Sequence, residues 1–227
     1  MLGLPNSTEL HHRISKQKFY EKLSLTPPMK RVFIDQIKAI YWKNKVAPTS
    51  INIAPGENVS EIQVFYIRLS VPKLDVSLLR QIDLAIKYHI IFVLEFESKY
   101  QIWTAYKEKS EVGNNYFKVG PYYHSDWLPE AELTLKLDGL DIDKVYENFV
   151  REIAGDALQK RGGESLKESV ERSERQECLR EKISALEDKI RKERQLNKQV
   201  KLNGDLKELR NKLNQLSGNL NSITIKQ

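Results

Sequence analysis

Cysteine is almost absent from this chain: Cys178 stands alone, which excludes an internal disulfide. Histidine is scarce too, and no His and Cys residues fall at zinc-binding spacing. The adjacent His11 and His12 project in diverging directions, so no metal site is expected. Long apolar runs are missing: HIIFVLEF is far short of the roughly 20 residues that span a bilayer. The opening MLGLPNSTELHHR lacks a basic segment followed by an apolar one. A soluble cytoplasmic protein in a reducing compartment, with no membrane contact, is the expectation. Neither GxxxxGK[ST] nor GxGxxG after a strand occurs, which argues against ATP hydrolysis, dinucleotide chemistry and a bound cofactor.

Aromatic residues are lacking from the last third. All 10 Tyr, 7 Phe and 3 Trp precede position 155, so the aromatic core belongs to the first two-thirds. The boundaries expected are a globular domain over 1–155, a linker over 156–165 around Gly162-Gly163, a helical hairpin or coiled coil over 166–220, and a tail over 221–227. Charge of both signs is abundant, and 37 Lys+Arg against 31 Asp+Glu leaves a net +6. Such an excess permits nucleic-acid contact without demanding it.

Thr26 before Pro27 and Pro28 marks a helix start. Met29, Phe33, Ile37 and Ile40 continue its apolar face and carry the expected helix to about Lys43. TSINIAPGENVSEIQVFYIRLS reads as a short strand, a Pro55-Gly56 turn and a strand over Glu61 to Leu69. Leu74, Leu78, Ile82 and Ile86 return to helical spacing, and HIIFVLEF with YQIWTAY forms a strand pair. The fold class expected is α+β, a mixed or antiparallel sheet flanked by helices, followed by the C-terminal helices.

Glu97-Ser98-Lys99, just after an apolar strand, raises the reading of a metal-dependent PD-(D/E)XK nuclease. That chemistry needs a Glu and a Lys two apart within a strand, aimed with a further acid at one metal and its water. Glu61 or Asp75 would have to supply that acid, whereas Glu97 and Lys99 fit best in a solvated hairpin turn. Tyr122, Tyr123, His124, Asp126 and Trp127 set a titratable pair among aromatics, as in a ligand pocket, or form a strand that packs its rings. Asp141 or Asp143 is placed to cap the helix that follows.

In the last third, Leu179, Ile183, Leu186 and Ile190 form one narrow seam. Leu202, Leu206, Leu209, Leu213, Leu216 and Leu220 form another. The step of twelve residues from Ile190 to Leu202 breaks the phase, so either a stutter shifts the stripe or the chain turns back near Asn203-Gly204. The hairpin is the reading preferred. These seams are the candidate partner-binding surface. Between them, Lys189, Arg191, Lys192, Arg194, Lys198 and Lys201 face a single acid, Glu193. On one helix Arg191, Arg194, Lys198 and Lys201 would make a basic stripe able to follow a phosphate backbone.

The chain resembles a bacterial family, domain of unknown function 4391. The resemblance rests on MLGLPNST, NIAPGENVSEIQVF, YHIIFVLEFESKYQIWTAYK, YYHSDWLPEAELTLKLDGLDIDKVYENFVREIAG and IRKERQLNKQVKLNGDLKELRNKL, and it covers nearly the whole chain. It implies an association with DNA methyltransferases and helicases in restriction-like, antiphage gene clusters, and it carries no catalytic residues over. The expected function is a non-catalytic accessory subunit that binds a methyltransferase or helicase and touches DNA through its basic segment. The alternatives are a divergent nuclease using Glu61, Glu97 and Lys99, and a dimerisation module that pairs two copies through the coiled coil.

Overall fold

The computed structural model describes residues 2–23, 25–109 and 117–218. The chain divides into two compact units, Met1–Asp156 and Ala157–Gln227. The tail expected over 221–227, and Leu220 of the second seam, lie outside the described residues.

The first unit opens with β1 (Glu9–Ile14) and α1 (Lys16–Lys22). Thr26 accepts the Met29 amide and starts α2 (Pro27–Gln36), with both prolines in the first turn. The helix stops seven residues before Lys43, because Ile37 begins β2 (Ile37–Val46). β-Branched and aromatic side chains favour the strand, and Ile37 and Ile40 are buried there, in the same apolar cluster as Phe33. The short strand expected around residue 51 is replaced by the helical turn α3 (Pro48–Ile51) and an isolated bridge between Ala54 and Asp141.

β3 (Ile62–Leu69), α4 (Val76–Ala85) and β4 (His89–Phe96) follow. They form a parallel crossover, which needs the intervening helix to return the chain to the same end of the sheet. β5 (Lys99–Lys109), β6 (Phe117–His124) and the short β7 (Leu128–Pro129) complete the strands among the described residues. The result is a mixed seven-stranded sheet in the order β1-β2-β3-β4-β5-β6, with β7 pairing β5.

One face buries Phe65, Ile67, Phe92 and Leu94 against Phe33 of α2 and Leu78, Leu79 and Ile82 of α4. α5 (Ile142–Ala154), capped by Asp141, buries Val145, Tyr146, Phe149, Val150 and Ile153 and packs on β5 and β6. Its Tyr146 hydroxyl donates to the Ala105 carbonyl at 2.9 Å and accepts the Lys107 amide at 3.2 Å. That double bond pins the helix to one point of β5.

The second unit is an antiparallel hairpin of α6 (Leu166–Lys192) and α7 (Leu196–Ser217). A capping box starts α6: Ser165 accepts the Glu168 amide while the Glu168 carboxylate takes the Ser165 amide. Gln176 donates to the Leu216 carbonyl, and Glu187 pairs with Arg210 at 2.7 Å, so the two helices run in opposite directions. Arg161 also donates to the Leu216 and Ser217 carbonyls at the end of α7. The turn lies at residues 193–195, and the expected turn pair Asn203-Gly204 sits inside α7. No helix among the described residues is long and apolar enough to cross a membrane.

Candidate functional site

The position of the turn relocates the basic residues. Lys189, Arg191 and Lys192 end α6, Arg194 lies in the turn, and Lys198 and Lys201 follow in α7. The single-helix stripe expected from Arg191, Arg194, Lys198 and Lys201 therefore does not form, because the chain reverses within it. What forms instead is a basic cap at the end of the hairpin. All six cations are exposed. Among the described residues, Arg191 is the one of the six within salt-bridge reach of an acid, Asp188 at 3.1 Å. Such an exposed pair contributes little.

Glu193, the acid between them, is occupied by the backbone. Its carboxylate accepts the Gln195 and Arg194 amides, each at 2.9 Å, at the entry to α7. The Gln195 amide is the main cause that holds its titration below the ordinary carboxylate range. The carboxylate stays ionised and braces the turn between the two helices, so the cap sets six cations against this one local negative charge.

The seam residues Leu179, Ile183, Leu186 and Ile190 on α6 are half-buried, as are Leu209 and Leu213 on α7, while Leu206 is buried. In the hairpin these seams lie along the two helices that pack on each other. They stabilise the hairpin itself.

The residues of the nuclease reading do not meet. Glu61 precedes β3, at the end where Ile62 pairs with His89, and it is bound by Lys45 at 2.7 Å and Gln63 at 2.6 Å. Glu97 follows β4 at its other end, so eight strand residues at about 3.3 Å each place it roughly 25 Å away. Glu97 and Ser98 have φ of 48° and 63°, the left-handed pair of a two-residue hairpin turn. Lys99 opens β5 opposite Phe96, and Glu97, Ser98 and Lys99 are all exposed. Among the described residues no group of three or more His, Cys, Asp and Glu side chains could hold a metal ion.

Tyr122, His124, Asp126 and Trp127 take separate roles. His124 stacks on Trp103 with centroids 4.3 Å apart, and its Nδ1 lies 2.9 Å from the Ser125 carbonyl oxygen and 3.1 Å from the Gln101 amide nitrogen. Trp127 packs at the edge of the apolar cluster, and Asp126 is exposed. The Tyr122 hydroxyl donates to Asp83, and that bond leads to a buried polar centre which sequence reasoning missed.

Asp83 and Lys107 pair at 3.0 Å with both side chains out of solvent. The Lys107 ammonium also donates to the carbonyls of Asp83 at 2.8 Å, Ile86 at 3.1 Å and Tyr88 at 2.7 Å. It thus supplies donors to the open end of α4. Burial pushes Asp83 up and Lys107 down, and their attraction opposes both shifts. Nearby His89, 4.2 Å from the Tyr146 ring, is driven down to about 3, chiefly by burial and also by the Lys107 charge. The signal was present in register: Lys107 shares the parity of Gln101, Trp103 and Ala105, so it points to the face that carries α4.

Asp143 was a second such residue. Asp141 caps α5, while the Asp143 carboxylate reaches back across the chain. It accepts the backbone amides of Glu57 at 3.0 Å, Asn58 at 3.1 Å and Val59 at 2.7 Å. Gly56 makes room for it, since a Cβ there would lie 2.1 Å from Asp143 Oδ1.

A family model described as domain of unknown function (DUF4391) matches residues 2–213, and the chain belongs to that family. No curated protein and no solved structure matches the chain.

Proposed function

For this member of the DUF4391 family we propose a non-catalytic accessory subunit that holds nucleic acid through the basic end of its C-terminal hairpin. The observation that carries the reading is the cap itself. Six exposed cations are gathered by a helix reversal, and the one acid among them is engaged with backbone amides. A cationic patch of this kind binds phosphates with little sequence preference and strong salt dependence.

The resemblance supports a setting for the subunit: a restriction-like, antiphage assembly in which the helical unit docks a DNA methyltransferase or helicase. DNA is the polymer proposed on that ground. Two experiments test the two halves. In a salt titration of duplex binding, six engaged cations give a log–log slope approaching about −5, and replacing the six with Gln removes the binding. In a pull-down from the native cell with nuclease present, a methyltransferase or helicase co-purifies. Binding insensitive to salt, or the absence of any protein partner after nuclease, would overturn the respective half.

A further inference from the structure

The basic cap carries two side chains that phosphates do not call for. Leu196 and Val200, on the first two turns of α7, are 73% and 65% exposed. Four residues apart, they share one helix face. The apolar residues that serve the hairpin, Leu202, Leu206, Leu209 and Leu213, are all half-buried or buried, so these two are surplus to its packing.

A surface that rewards both parts of this cap must offer anions and apolar faces together. Nucleic acid does so where bases are unstacked or unpaired; a continuous duplex keeps its base faces inside the stack. Apolar side chains beside Arg and Lys are a known means of engaging opened base steps. Two packed helices, each about 10–12 Å across, are together wider than the roughly 12 Å major groove, so the hairpin meets nucleic acid with its end.

We propose that the hairpin end recognises unpaired or unstacked bases, with Leu196 and Val200 against base faces and the surrounding cations on the adjoining phosphates. This deepens the nucleic-acid reading above and rests on it. The ligand class is a gapped, bulged or single-stranded segment.

The test is fluorescence anisotropy of the full chain with a continuous duplex and with the same duplex carrying a short single-stranded gap. The gapped form is expected to bind about tenfold tighter, the worth of burying roughly one aliphatic side chain. Leu196→Ser with Val200→Ser brings the two affinities together while leaving duplex binding and its salt slope intact. Leu196→Phe, which enlarges the contact, widens the preference. Both positions are exposed, so the helical circular-dichroism signal of each variant stays unchanged. Equal affinity of the native chain for both probes, or a preference that survives the double substitution, overturns the inference and leaves the backbone reading standing. Failure to bind either probe overturns both. Sedimentation with phosphatidylserine vesicles that needs Leu196 and Val200, alongside equal binding of the two oligonucleotides, would assign the pair to a lipid surface and overturn the inference as well.

Discussion

Lys107 Nζ lies 3.0 Å from Asp83 Oδ1, joining β5 to α4 beneath the sheet with neither side chain in solvent. Removing one member of such a pair strands the other charge, at about 3–5 kcal/mol. Lys107→Met is expected to reach that range, because the carbonyls of Asp83 and Ile86 at the end of α4, and of Tyr88 before β4, lose their donor as well. Asp83→Asn should cost less, since an amide oxygen still accepts the Tyr122 hydroxyl. Urea unfolding measures both, and equal small losses would contradict the account.

His89 sets an acid limit on the first unit. Its folded-state titration falls from the ordinary 6.5 to about 3. The unfolded chain therefore takes up a proton first as pH drops. Stability is full above about 6.5 and declines by up to about 1.4 kcal/mol per pH unit down to about 3. His89→Gln flattens that limb in unfolding curves taken across the same window. An unchanged slope would show that another group governs it.

The Asp143 carboxylate and Gly56 are coupled through one space. Asp143→Ala frees three backbone amides and is expected to cost about 1.5–3 kcal/mol. Gly56→Ala is costly in the native chain, where the added methyl meets the fixed carboxylate, and cheaper in the Asp143→Ala background. A double-mutant cycle measures the difference. Additive effects would mean that the carboxylate moves aside without loss.

Gly204 distinguishes a turn from a helix. It lies within α7, and a Cβ at that position meets nothing within 4 Å. Gly204→Ala should stabilise the hairpin by about 1 kcal/mol, seen as a higher melting temperature. Destabilisation would place the reversal at Asn203-Gly204 after all.

Much of this was legible in the residues, and the misses have physical causes. Thr26 announced its helix, and the pair Asp141 and Asp143 the later one, because a capping oxygen is a local requirement, although the pair left open that Asp141 is the cap. The β4-β5 hairpin was readable because two apolar runs flank a polar pair. The end of α2 was not, since Ile37 and Ile40 satisfy helical and strand spacing alike and only their tertiary burial decides. The reversal was misplaced because Asn203-Gly204 has good turn chemistry, yet Leu202 already belongs to the second seam. The phase break had to fall between Ile190 and Leu202, where the Glu193 carboxylate binds the Arg194 and Gln195 amides of a turn that holds neither glycine nor proline. The basic stripe failed with it, as its four residues span the turn. Lys107 with Asp83 escaped notice because an inward lysine is recognised only once strand parity and the facing helix are known together.

The most direct test of the central claim is ultraviolet cross-linking of the full chain to a gapped oligonucleotide, with the attached peptides identified by mass spectrometry. Attachment within residues 189–201 is the result the account predicts. Attachment confined to residues 1–156, with the hairpin end untouched, would contradict it.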